Sequence, residues 1–143
     1  MKTEKENIER VRAFYKFLDE GKLDIIRAYL APEAKFYYES GDPVTFDEME
    51  PLIKIFYTSF PDYQHHIEDI IAADDKVVVR LSYAGTFTQP FMEMKPNGVK
   101  FTYKGIQIFQ FLDNKVINFW AVEDELGLMQ QLGMELTPKE LVH

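Results

Sequence analysis

The chain has 143 residues, 16 Lys and Arg against 24 Asp and Glu, hence a formal charge of 16 − 24 = −8, and no cysteine. That length fits one domain over residues 1–143, able to bury roughly two-thirds of its unfolded surface without disulfide or metal. The composition excludes a disulfide framework, a thiolate nucleophile and a cysteine zinc site. The acidic balance, with no basic stripe, excludes phosphate-driven nucleic-acid binding and attraction to anionic membranes.

The stretch from Met1 to Arg10 is charged and lacks the apolar core of a signal peptide. Ile8, Val11, Tyr15 and Leu18 then recur at helical spacing, with Phe14 and Phe17 alongside, and Gly21 stops the helix. Asp24 is the expected N-cap of a short second helix through Ile25, Ile26, Tyr29 and Leu30, ended by Ala31-Pro32. Lys35 to Glu39 reads as a short strand and Gly41-Asp42-Pro43 as a turn. A third helix is expected behind a capping box of Asp47 and Glu50, with Pro51 in its first turn and an apolar stripe of Met49, Leu52, Ile53, Phe56 and Phe60.

From Tyr63 the period changes to that of strands. The expected strands are Tyr63 to Ile71, Lys76 to Phe87, Val99 to Leu112 and, across the turn Asp113-Asn114, Lys115 to Val122. The last three form an antiparallel meander, and a helix from Glu125 to Leu132 closes at Gly133. Helices followed by antiparallel strands give the α+β class. No apolar run approaches the roughly 18 residues of a membrane span, so a cytoplasmic protein is expected. Both strand faces carry apolar residues, which predicts a second copy, a homodimer, over one of them. The 12 Phe, 8 Tyr, 1 Trp and 6 Met supply either a ring-rich core or a ring-lined cavity.

Several blocks in the second half carry a family resemblance. They are Phe60-Pro61-Asp62, Val77-Val78-Val79-Arg80 leading to Gly85-Thr86, and Gly105-Ile106 through Phe119-Trp120-Ala121-Val122-Glu123-Asp124 to Gly127-Leu128 and Gln131-Leu132-Gly133. Pro96 and Gly98 match the loop between the two long strands. The chain resembles the SnoaL-like polyketide cyclase and ester cyclase family of the nuclear-transport-factor-2-like (cystatin-like) superfamily, well over residues 60 to 133 and in outline over residues 5 to 60. The resemblance implies a cone-shaped α+β barrel, usually a homodimer, whose deep pocket lies between the helices and a concave sheet. In the cyclases that pocket holds a polyketide ester, and an aspartate acts as acid and base in an intramolecular aldol closure without metal or organic cofactor.

The resemblance places Ala121 where the cyclases carry that aspartate, Gln107 where they carry a histidine, and Phe87 where many relatives have one. Neither methyl nor amide titrates. Asp124 matches a second family aspartate; it is either a substitute acid or the N-cap of the last helix. Glu123 shares strand parity with Ala121 and Phe119, which leaves it at the pocket mouth or exposed at the strand end. Arg80, in an apolar run, needs a partner: a ligand oxygen or a carboxylate across the sheet. His65 and His66 face opposite ways, so they cannot share a metal, and His65 is the pocket candidate, as a catalytic group or as a core histidine. His143 is terminal and is set aside. Phe56, Tyr57, Phe60, Phe91, Met94, Phe119 and Trp120 are expected in the pocket wall, with Met92 and Met94 in a flexible lid.

Three functions follow as alternatives. One is a cofactor-independent cyclase, isomerase or lyase acting by proton transfer on a small carbonyl or ester compound, with Asp124 or His65 titrating. The second is a non-catalytic protein binding a small apolar or amphipathic molecule. The third, without distinctive support, is a protein-interaction module.

Overall fold

The computed structural model describes residues 2–139, so His143 lies outside the described residues. Helix α1, Lys2–Asp19, buries Val11, Phe14, Tyr15 and Leu18 along one stripe and ends before Gly21, whose positive φ suits glycine. In α2, Leu23–Arg27, the N-cap is Lys22; Asp24 lies inside the first turn, where its charge meets the positive helix end. Leu30, expected in that helix, instead begins strand β1, Leu30–Tyr37. Pro32 is tolerated there because β1 is an edge strand, irregular in register between Leu30 and Lys35.

Helix α3, Phe46–Ser59, has its capping box two residues earlier than Asp47 and Glu50. Thr45 accepts from the Glu48 amide at 3.2 Å, and the Glu48 carboxylate accepts from the Thr45 amide at 3.1 Å. A hydroxyl followed three residues on by a glutamate outcompetes the Asp47 pair, and Pro51 consequently falls beyond the first turn. The remaining elements are β2 (Gln64–Ala73), β3 (Lys76–Thr86), β4 (Lys100–Leu112), β5 (Lys115–Glu123) and α4 (Glu125–Leu132). Asp113 and Asn114 both take positive φ, as a two-residue hairpin turn requires.

The sheet order is β1-β5-β4-β3-β2. Strands β2 to β5 pair antiparallel, but β1 joins β5 in parallel, so the curved sheet is mixed rather than purely antiparallel. Alternation along β3 sends Val77, Val79, Leu81 and Tyr83 inward, all essentially buried, and Val78, Arg80 and Ser82 outward. Helix α1 packs over β2 and β3. From α3, Phe56 meets Phe60, Tyr63 and Phe91 edge to face at 5.3–5.8 Å. Each buried ring contributes about 1.5–3 kcal/mol by burial. The outer sheet face leaves Ile71, Val78, Ile106 and Val122 exposed. No helix among the described residues is long and apolar enough to cross a membrane.

Candidate functional site

The inner face of the sheet is apolar at its β1 side and polar where β2, β3, β4 and β5 bring His65, Tyr83, Gln107 and Glu123 together under α1. Asp19, the last residue of α1, is the first anchor. A carboxylate at a helix C-terminus faces the negative end of the dipole, so other groups must hold it. Three do: the His65 amide at 2.9 Å, His65 Nδ1 at 2.7 Å and the Tyr57 hydroxyl at 2.7 Å. An ionised aspartate only accepts, which places a proton on Nδ1.

The His65 side chain is only 7% exposed. Its ring lies against Tyr15, Tyr83 and Tyr63, with centroids at 5.1, 5.2 and 5.6 Å. Nε2 takes no hydrogen bond from the described residues. No fully buried side-chain nitrogen or oxygen among them is left unpartnered, so Nε2 is not a fully buried atom. Asp19 thus fixes the ring and leaves its far nitrogen available, the arrangement that acid–base chemistry needs.

The second anchor runs along β4 to β5. The Tyr15 hydroxyl donates to Gln107 Oε1 at 2.5 Å. Gln107 Nε2 donates to Glu123 Oε1 at 2.9 Å and to the Tyr83 hydroxyl at 3.1 Å, and Tyr83 donates to the same Oε1 at 3.0 Å. The donors all run toward Glu123. Glycine at 105 makes room for this: a Cβ there would stand 2.7 Å from the Tyr83 hydroxyl and 2.9 Å from Glu123 Cγ. Tyr63 and Tyr103 share a further buried hydrogen bond.

Burial, and then the nearby Glu123 charge, push the Tyr15 and Tyr83 hydroxyls well above the ordinary tyrosine range. Both therefore remain protonated donors at neutral pH. Burial and the neighbours Glu39 and Glu123 likewise push the Glu125 carboxyl up. Among the described residues no Lys or Arg side chain pairs with Asp19, Glu39 or Glu123. No cluster of three His, Asp or Glu side chains there is placed to hold a metal.

Of the residues singled out in the sequence, the inner face gathers His65, Gln107, Ala121 and Phe119, while Phe56, Tyr57, Phe60, Phe91 and Met94 pack under α3 and the adjoining loop. Three others lie elsewhere. Asp124 is the N-cap of α4, accepting from the Gly127 amide at 3.0 Å, so of its two readings the geometry gives it the cap. Arg80 points to the outer face and pairs with Asp69 across the strands at 2.7 Å, away from His65. Trp120 also points outward, stacked on Tyr37 at 5.5 Å; as the strand neighbour of inward Phe119 it cannot share that wall.

Of the expected lid, Met94 is half-buried and bridged to Phe91, while Met92 is exposed. The two clearest hollows are surface grooves: about 460 Å³ beside Lys5, Glu9 and Tyr29, and about 280 Å³ between Pro32 and Phe46. Neither is lined by the inner-face residues. Sequence reasoning underrated Glu123, although its parity with Ala121 and the glycine inside β4 both pointed to a close approach on this face. Asp19, Tyr15 and Tyr83 gave no signal beyond a helical or strand period.

The sequence profile of SnoaL-like polyketide cyclases matches residues 8–132. The chain belongs to the SnoaL-like polyketide cyclase family. Among solved structures, AclR of Streptomyces galilaeus, provisionally assigned as a hydroxylase, is 25% identical with a TM-score of 0.81, over 87% of this chain and 93% of its own. IdmH of Streptomyces antibioticus, provisionally a polyketide cyclase, is 23% identical with a TM-score of 0.80, over 88% and 97%. A provisionally assigned SnoaL-like cyclase from a Jannaschia species is 21% identical with a TM-score of 0.82, over 93% and 95%. The last two establish likeness of fold alone. Among curated proteins nothing matches. The SnoaL-like fold accounts for the helices over a curved sheet.

Proposed function

We propose that this SnoaL-like protein is a cofactor-independent proton-transfer enzyme of the cyclase, isomerase or lyase type, acting on a small uncharged carbonyl or ester compound. The observation that carries this reading is the buried His65–Asp19 pair: Nδ1 is held at 2.7 Å while Nε2 has no partner among the described residues. His65 is the acid–base group, and Asp19 and Tyr57 position it. Glu123, which accepts only from the neutral donors Gln107 and Tyr83, disfavours an anionic substrate. Polyketide cyclase relatives such as IdmH make a carbonyl-rich ligand the natural choice, received among Phe56, Met94, Phe119 and the tyrosines.

A panel of β-keto esters and 1,3-dicarbonyl compounds, assayed with wild type, His65→Asn and Asp124→Asn, tests this. His65→Asn is expected to lose about a hundredfold in rate, and Asp124→Asn to keep its activity. Equal rates for wild type and His65→Asn would overturn it. A second reading, a non-catalytic binder of an apolar molecule, draws support from Gln107 and Ala121, which face inward and cannot titrate. A ligand co-purified in native mass spectrometry, with no turnover on the panel, would favour it. The exposed Ile71, Val78, Ile106 and Val122 support a homodimer across the outer sheet face, which sedimentation velocity tests.

A further inference from the structure

Glu123 is the last residue of β5, and its carboxylate is held from one side only. Both of its side-chain donors, Gln107 Nε2 at 2.9 Å and the Tyr83 hydroxyl at 3.0 Å, converge on Oε1. Oε2 takes no hydrogen bond from the described residues, and since none of their fully buried oxygens is left unpartnered, it is not a fully buried atom. The backbone is fixed too: the Glu123 amide donates to Glu39 Oε1 at 2.6 Å. Gly105, paired with Glu123 across the strands, supplies the room in which carboxylate and tyrosine meet. Two residues back on the same face, Ala121 offers only a methyl group and lies opposite Gln107.

Tyr83 joins the two anchored groups. Its ring lies 5.2 Å from that of His65, and its hydroxyl rests on Glu123. Each group therefore has one atom held and one atom without a partner among the described residues, and Tyr83 touches both. Both donors use Oε1, so the acceptor sites of Oε2 remain unused by the described residues.

We propose that Glu123 is the second proton-transfer group of this site, with Gln107 and Tyr83 as its positioning residues, an assignment that rests on His65 being the first. As a carboxylate, Glu123 takes a proton at Oε2 from the carbon next to the substrate carbonyl. The broken C–H bond's electron pair becomes the new C=C bond, the carbonyl π pair moves to oxygen, and that oxygen takes the proton of a protonated His65 Nε2. The products of the step are a neutral enol, a Glu123 carboxylic acid and a neutral imidazole. Returning the carboxyl proton to carbon and the enol proton to Nε2 regenerates ketone and enzyme, so no other reactant is consumed.

The test is deuterium incorporation into β-tetralone in buffered heavy water, read by proton NMR, for wild type, Glu123→Gln, Glu123→Asp, Tyr83→Phe and His65→Asn, with circular dichroism of each. Glu123→Gln keeps shape and loses the proton acceptor, so exchange should fall about a hundredfold or more, with Glu123→Asp restoring part of it. Tyr83→Phe should slow exchange less than Glu123→Gln, because it removes one of two donors on Oε1. If His65→Asn abolishes exchange while folded Glu123→Gln matches wild type, the Glu123 assignment is overturned and the His65 reading stands. If Glu123→Gln abolishes exchange and His65→Asn does not, Glu123 is upheld as an acid–base group and the role of His65 fails. Wild type no faster than buffer would overturn both.

Discussion

Raising the pH through the tyrosine range should unfold this protein steeply. Tyr15, Tyr57, Tyr63, Tyr83 and Tyr103 all hold their protons above the ordinary tyrosine value of 10.0, each chiefly because burial penalises the phenolate. A group whose folded value is raised contributes stability fully present below its unfolded value and lost as the pH climbs above it, because only the unfolded chain releases the proton. Each such tyrosine removes about 1.4 kcal/mol of stability per pH unit beyond 10, and five together about 7 kcal/mol. A domain of this size has about 5–15 kcal/mol to lose, so unfolding should be complete within about one to two units above pH 10. The assay follows tyrosinate absorbance and far-ultraviolet circular dichroism together in a titration from neutral pH. These five tyrosines should ionise only as the helical and strand signal collapses. Ionisation of most tyrosines near pH 10 with the dichroism intact would show that water reaches these hydroxyls and would refute burial as the cause of their raised values.

Gly105→Ala drives a methyl group into the Tyr83 hydroxyl and Glu123; a loss of about 1–3 kcal/mol in urea denaturation is expected, together with a loss of activity larger than that of any outer-face variant. Asp124→Ala should cost about 1 kcal/mol of stability through the lost cap and leave turnover intact, which thermal denaturation and the substrate panel check side by side. Arg80→Ala removes an exposed pair and should change stability by no more than about 0.5 kcal/mol, again by urea denaturation. A ketone bearing a carboxylate should bind at least severalfold more weakly than its neutral ester, as read by quenching of tyrosine fluorescence, because Glu123 accepts only from the neutral donors Gln107 and Tyr83 and has no Lys or Arg partner among the described residues.

The strands were legible because their signals are local. Val77-Val78-Val79 and the Asp113-Asn114 turn set β3, β4 and β5 almost to the residue, and α4 lies where Glu125 and Gly133 bound it. One misplacement came from competing caps, Thr45 with Glu48 prevailing over Asp47 with Glu50; the other is a helix start at Lys22 without any side-chain cap, which leaves Asp24 inside the first turn. The parallel pairing of β1 with β5 is a long-range choice that no local pattern encodes. Parity within a strand identified His65 as the inward histidine, yet the same rule rejects Trp120 beside Phe119. The partners that give His65 and Glu123 their geometry are distant in sequence: Asp19 is 46 residues from His65, and Tyr83 is 40 from Glu123. Only the folded chain brings those groups together.

The most direct test of the site is the long-range nitrogen–proton NMR spectrum of the His65 imidazole, recorded while β-tetralone is added. The expected result is a proton on Nδ1, bound to Asp19, and an Nε2 resonance that moves as the ligand quenches tyrosine fluorescence. An Nε2 signal that stays fixed through saturation of that quenching, or that loses its Nδ1 partner without any effect of Asp19→Asn, would contradict it.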